Sequence, residues 1–172
     1  MLVVAALASA SVALATPAQA ESIVVKDARG DMGHKADVLR VRVANEQRVR
    51  VKVTHDNLTR RGNKAATIFV DTDRSRRGPE FGFVAGIFEG SDYQLVRMRN
   101  WKPRSRPLSC PISLKLDYSA DTSYFTMRRS CLDRPGRVRV AVKVSAERAM
   151  SGEFAHDWLT GRRQFTRLVA RG

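Results

Sequence analysis

Between residues 38 and 53 the chain reads VLRVRVANEQRVRVKV, and between 137 and 146 it reads RVRVAVKVSA. Apolar and basic side chains alternate with a period of two. A helix would scatter such valines around its circumference, whereas a β-strand gathers them on one face and the cations on the other. The chain therefore folds by pairing strands. With Asn45, Glu46 and Gln47 as a turn, the first stretch becomes a hairpin in which Val43 faces Val49, Val41 faces Val51 and Leu39 faces Val53. That register also sets Arg42 against Arg50 and Arg40 against Lys52. Burying a valine is worth about 1.5 to 3 kcal/mol, against tenths for an exposed like-charge pair, so the valines decide the pairing.

Further short segments with strand character follow the same logic: SIVVKDA, ATIFVDTD, FGFVAGIFEG, DYQLVRMRNW, ISLKLDY and SYFTMRR, separated by turns rich in Gly, Pro, Asp and Ser. The tail FAHDWLTGRRQFTRLVARG is read as one turn of helix and a final strand near QFTRLV. Seven to nine short strands with no persistent helical pattern predict an all-β chain, an antiparallel β-sandwich, with a closed β-barrel as the alternative. In the last long strand Val138, Val140, Val142 and Val144 point inward and Arg137, Arg139 and Lys143 outward.

The opening MLVVAALASASVALATPAQA reads as a secretory signal peptide, residues 1–20, although no Lys or Arg precedes its apolar run. A membrane anchor is the competing reading, but the apolar run is shorter than the roughly 20 residues a spanning helix needs. Residues 21–172 are then one domain, secreted to the extracellular space or the cell wall. Cys110 and Cys131 are the only cysteines. In an oxidising compartment such a pair predicts a disulfide, and a hairpin over residues 112–129 brings the two together at its open end.

Thirty-one basic against 17 acidic side chains give a formal charge of +14. This excess concentrates polyanions and makes their binding salt-dependent. Outside a cell these are anionic wall polymer, acidic polysaccharide, phospholipid surface or stray nucleic acid, and no motif dedicates the chain to nucleic acid. Arginine guanidinium groups pair well with phosphate and carboxylate oxygens. The candidate anion-binding residues are Arg40, Arg42, Arg50 and Lys52, joined by Arg97, Arg99, Arg137 and Arg139. The competing reading is a solvated sheet face.

Acidic loops form a second candidate. Asp27 and Asp31 lie in DARGDMGHKAD, and Asp71 and Asp73 in DTD at a strand end. Calcium takes six to eight oxygens from such loops, so a structural calcium ion is one reading and turn capping by Asp the other. His34, His55 and His156 are too dispersed for a zinc site. Hydrolase and phosphate-loop signatures are absent, and Glu80 and Glu89 with Asp92 or Asp117 form only a generic carboxylate set. Trp101 and Trp158 are either core or stacking platforms for a sugar or base.

The loop and strand DARGDMGHKADVLRVRV resemble the opening of secreted carbohydrate-binding and DOMON-like β-sandwich modules, a resemblance that implies an ion near Asp27 and Asp31 and an aromatic binding face. Over nearly the whole mature chain, through IFVDTD with GPE, SCLDRPGRVRVAV and DWLTGRRQFTRLVARG, the sequence resembles small secreted actinobacterial β-sandwich proteins. That second resemblance implies no residue roles. Three readings stay open: a non-enzymatic secreted protein adhering to anionic envelope polymers, a calcium-stabilised carbohydrate-binding module, and a small secreted hydrolase or inhibitor.

Overall fold

The structure is a computed structural model and describes residues 21–30, 32, 36–104, 106–148 and 151–172. The expected signal segment, Asp31 and His34 lie outside the described residues. Among the described residues twelve strands run in chain order: β1 Ser22–Lys26, β2 Asp37–Asn45, β3 Arg48–Asp56, β4 Lys64–Asp71, β5 Phe81–Gly86, β6 Tyr93–Arg99, β7 Lys102–Pro103, β8 Ile112–Asp117, β9 Thr122–Arg128, β10 Arg137–Glu147, β11 Phe154–Trp158 and β12 Val169–Ala170. They form two antiparallel sheets. One has the order β1-β2-β3-β9-β8 and the other β11-β10-β4-β5-β6-β7, with β12 also paired to β10. This is the all-β sandwich that the alternation predicts.

The described strands outnumber the expected seven to nine, for reasons of pairing. β7 is a two-residue pairing against β6, and the final strand expected near QFTRLV is reduced to β12, a two-residue pairing against β10. β11 stands where a helical turn was expected, because the long edge of β10 offers free backbone groups to residues 154–158, and an unpaired buried edge is costly. Among the described residues the only helical segment is a 3-10 turn over Arg129–Leu132.

The opening hairpin forms with a different register. Val43 pairs with Val51, Val41 with Val53, Arg42 with Lys52 and Arg40 with Thr54. The three-residue turn moves one place along, from 45–47 to Glu46, Gln47 and Arg48 between the paired Asn45 and Val49, which slides one arm by two residues and keeps the valines on the inner face. An irregularity between Val38 and Arg40 then sends Val38, not Leu39, into the core. Bulges insert one extra residue and so reset the alternation.

Between the sheets, Val41, Val43, Val49, Val51, Val53, Phe125 and Met127 pack against Ile68, Val70, Phe81, Phe83, Leu95 and the four valines of β10, all essentially inaccessible to solvent. Cys110 and Cys131 are disulfide-bonded with their Cα atoms 6.0 Å apart, beside the open end of the β8–β9 hairpin. A smaller apolar layer covers the outer face of the second sheet. Phe69, Val96, Met98 and Ala141 lie beneath Trp101, Trp158 and Phe165, which explains why β4 and β6 carry apolar residues on both faces. Among the described residues no helix is long and apolar enough to cross a membrane.

Candidate functional site

Every second residue of the first sheet points away from the core, and the hydrogen-bonded register aligns these residues in rows. Lys26 lies opposite Arg40, Arg42 opposite Lys52, and Arg48 opposite Arg128. A central row runs Val24, Arg42, Lys52, Tyr124, Lys115 across all five strands. Lys52 Nζ sits 5.0 Å from the centre of the Tyr124 ring. Apart from half-buried Lys52, these cations are exposed. The carboxylates reaching this face stand at strand ends with partners of their own: Glu46 pairs with Arg50, Asp56 with Arg29 at 3.7 Å, and Asp117 caps its turn through Ser119.

At one end the face runs into a cleft of about 430 Å³ lined by Gln47, Arg48, Arg128, Arg129, Ser130, Arg134 and Arg171, with no carboxylate in its lining. Arg129 donates to the carbonyls of Arg134 and Pro135. Burial, and then the nearby charge of Arg171, push its pKa down. Its Nε is buried without a hydrogen-bond partner among the described residues. Like charges opposite one another on a sheet are destabilising, so this face is assembled against its own electrostatics.

The remaining predicted cations lie elsewhere. Arg97 makes two 3.0 Å hydrogen bonds to Asp133, whose contact raises its pKa. With Arg99 it lines a separate cavity of about 670 Å³ that Arg76, Arg77, Glu80 and Arg104 share. Arg137 and Arg139 stand on β10 in the second sheet. Arg139 is held by Asp71, at 3.0 Å through Nε and 2.7 Å through Nη2, and lies over the Phe165 ring. The structure thus brings together Arg40, Arg42, Arg50 and Lys52, and separates them from Arg97, Arg99, Arg137 and Arg139. It adds Lys26, Arg48, Lys115 and Arg128, whose strand neighbours follow from register and not from any local pattern.

The acidic candidates are dispersed as well. Asp27 accepts from the backbone N–H of Ala28 and Thr160, both at 3.0 Å. Asp71 is fully buried against Arg139. Asp73 accepts from the N–H and hydroxyl of Ser75, bonds that lower its pKa. Among the described residues no group of three or more His, Cys, Asp or Glu is placed to share a metal ion.

One contact invisible in the sequence involves His55. Its Nδ1 lies 3.0 Å from the Ala36 carbonyl, so Nδ1 carries the proton, and Nε2 accepts from the Ser123 hydroxyl at 2.7 Å. A serine bonded to an imidazole has the geometry of a nucleophile and its base. Both residues are buried, however, with Ser123 at 0% exposure, and burial drives the His55 pKa down to about 4. The pair ties β3 to β9 inside the core. No protein-family model and no curated protein matches the chain.

Proposed function

We propose that the protein is a secreted, non-enzymatic β-sandwich that adheres to anionic envelope polymers through the outer face of its five-stranded sheet. The observation that carries this reading is the cleft in which Arg48, Arg128, Arg129, Arg134 and Arg171 converge without a lining carboxylate, at the end of a face whose cross-strand neighbours are like-charged. Guanidinium groups in such a cleft satisfy the paired oxygens of phosphodiesters and carboxylates. A row of cations running across the strands suits an extended chain of repeating charge better than a compact ligand.

Affinity in such a system comes mainly from counterion release and falls steeply with salt. The test is retention on purified wall teichoic acid against a neutral glycan over about 50 to 500 mM salt. The reading expects retention on the anionic polymer at low salt, lost progressively as salt rises. Equal retention on the neutral glycan, or none at low salt, overturns it.

A further inference from the structure

Both tryptophans of the chain meet on the opposite side of the sandwich, away from the cationic face. Trp101 and Trp158 have ring centres 5.9 Å apart with their planes crossing at 71°. Phe69 stacks on Trp158 at 5.5 Å and 7°, and Phe165 stacks on Trp101 at 4.9 Å and 27°. Phe69, Trp101 and Trp158, with Lys143, His156, Arg162 and Arg163, line a pocket of about 510 Å³ with no carboxylate in its lining.

The backbone is strained to place this corner. Asn100 and Trp101 have φ of 51° and 67° in the tight turn between β6 and β7, a region that bulky residues rarely occupy. Gly78 leaves the space for the indole: a Cβ there would stand 3.1 Å from Trp101 Nε1. The loop carrying the two arginines has positive φ at Thr160 and Arg163. Strain of this kind persists only where the surrounding structure enforces it, and it clusters at binding sites.

We propose that this pocket binds an acidic sugar unit, a pyranose carrying a carboxylate, with the sugar ring resting on an indole face and its charge met by Lys143, Arg162 and Arg163. Indole faces carry negative quadrupole density that attracts the polarised C–H groups of a sugar. Because the two indole planes cross and each ring already has a phenylalanine stacked on it, a flat base cannot be clamped between them. A puckered ring lying on one indole with its substituents turned toward the rim fits this corner. Lys143 Nζ lies 6.0 Å from the Trp158 ring centre, and Arg163 lies 5.8 Å from that of Trp101. Neither Lys143, Arg162 nor Arg163 makes an ion pair with a described residue. Burial, and then the neighbouring Arg162, lower the Lys143 pKa, the condition that an incoming carboxylate relieves.

Since both tryptophans line the pocket, their fluorescence reports this site and not the cationic sheet face. Titration of the purified chain with trigalacturonate should change the emission saturably, while neutral cellotriose should not. Lys143→Gln and Arg163→Gln should each weaken the response about tenfold, the loss expected for one charge-assisted contact. A variant with Arg40, Arg42, Arg50 and Lys52 changed to Gln should keep the response, which separates this site from the sheet face. An equal response to cellotriose, a tighter response to uridine monophosphate, indifference to both pocket substitutions, or loss of the response in the sheet-face variant overturns the proposal. Arg163 stands in an exposed loop, so its variant remains informative if Lys143→Gln fails to fold.

Discussion

Arg139 on β10 closes on Asp71 of β4 with its Nη2 2.7 Å from the carboxylate, and Asp71 is fully shielded from water. The two residues lie directly across the strand pair. Asp71 therefore depends on one guanidinium for its countercharge, and the outer layer of rings packs around this contact through Phe165. Removing one partner of a buried ion pair strands the other in a medium that solvates it poorly.

Accordingly, Arg139→Met should destabilise the fold by about 3 to 5 kcal/mol. Asp71→Asn combined with Arg139→Met should cost clearly less than the sum of the single changes, since the stranded charge is gone. Urea unfolding of the two single variants and the double variant measures this coupling. Strict additivity would mean that the contact contributes nothing as a pair.

His55 gives the fold an acid sensitivity. Burial holds its folded pKa at about 4, below the unfolded value of 6.5, although the Ala36 carbonyl and then Asp121 and Asp37 favour the charged ring. Between these two values the unfolded chain binds the proton and the folded one does not, so stability falls as pH drops from 6.5 to about 4. At 1.36 kcal/mol per unit, the loss is about 3 kcal/mol. Chemical denaturation at a series of pH values should show this slope, and His55→Gln should flatten it. A variant with the wild-type slope would place the sensitivity in other groups.

The disulfide closes a loop across a sequence separation of 21 residues. Constraint of the unfolded chain makes it worth about 3 kcal/mol. Unfolding with and without reductant, checked against Cys110→Ser with Cys131→Ser, should give a stability loss of that size. A difference below about 1 kcal/mol would mean that the reduced unfolded chain is already compact there.

Much of the sandwich is legible in the residues themselves. Val138, Val140, Val142 and Val144 are all buried as their alternation predicts, and the hairpin over residues 112–129 brings Cys110 to Cys131. Burial of apolar side chains is a local signal, repeated at every second position. The register of the first hairpin is less legible, because three-residue turns over 45–47 and over 46–48 bury the same valines and differ only in which cations face each other. The bulge at Leu39 leaves no mark in a sequence already apolar at Val38 and Leu39.

Long-range pairing explains the rest. Nothing near Asp71 announces Arg139, which lies 68 residues away, and nothing near Trp101 announces Trp158. Arg97 and Arg137 read as outward cations like Arg42, yet their strands belong to the other sheet. The rows of the cationic face exist only once β1, β9 and β8 are set beside the hairpin.

In the proposed adhesion to polyanions, the position of the cations matters and not their total number. Two variants with equal net charge decide it: Arg40, Arg42, Arg50 and Lys52 changed to Gln on the sheet face, and Arg61, Arg74, Arg77 and Arg148, exposed residues elsewhere, changed to Gln. The measurement is the dissociation constant for wall teichoic acid at several salt concentrations. The account predicts that the face variant binds more weakly and loses about 0.7 to 0.9 of logarithmic salt slope for each contact removed, while the control stays near wild type. Equal losses in the two variants would contradict it and reduce the attraction to diffuse net charge.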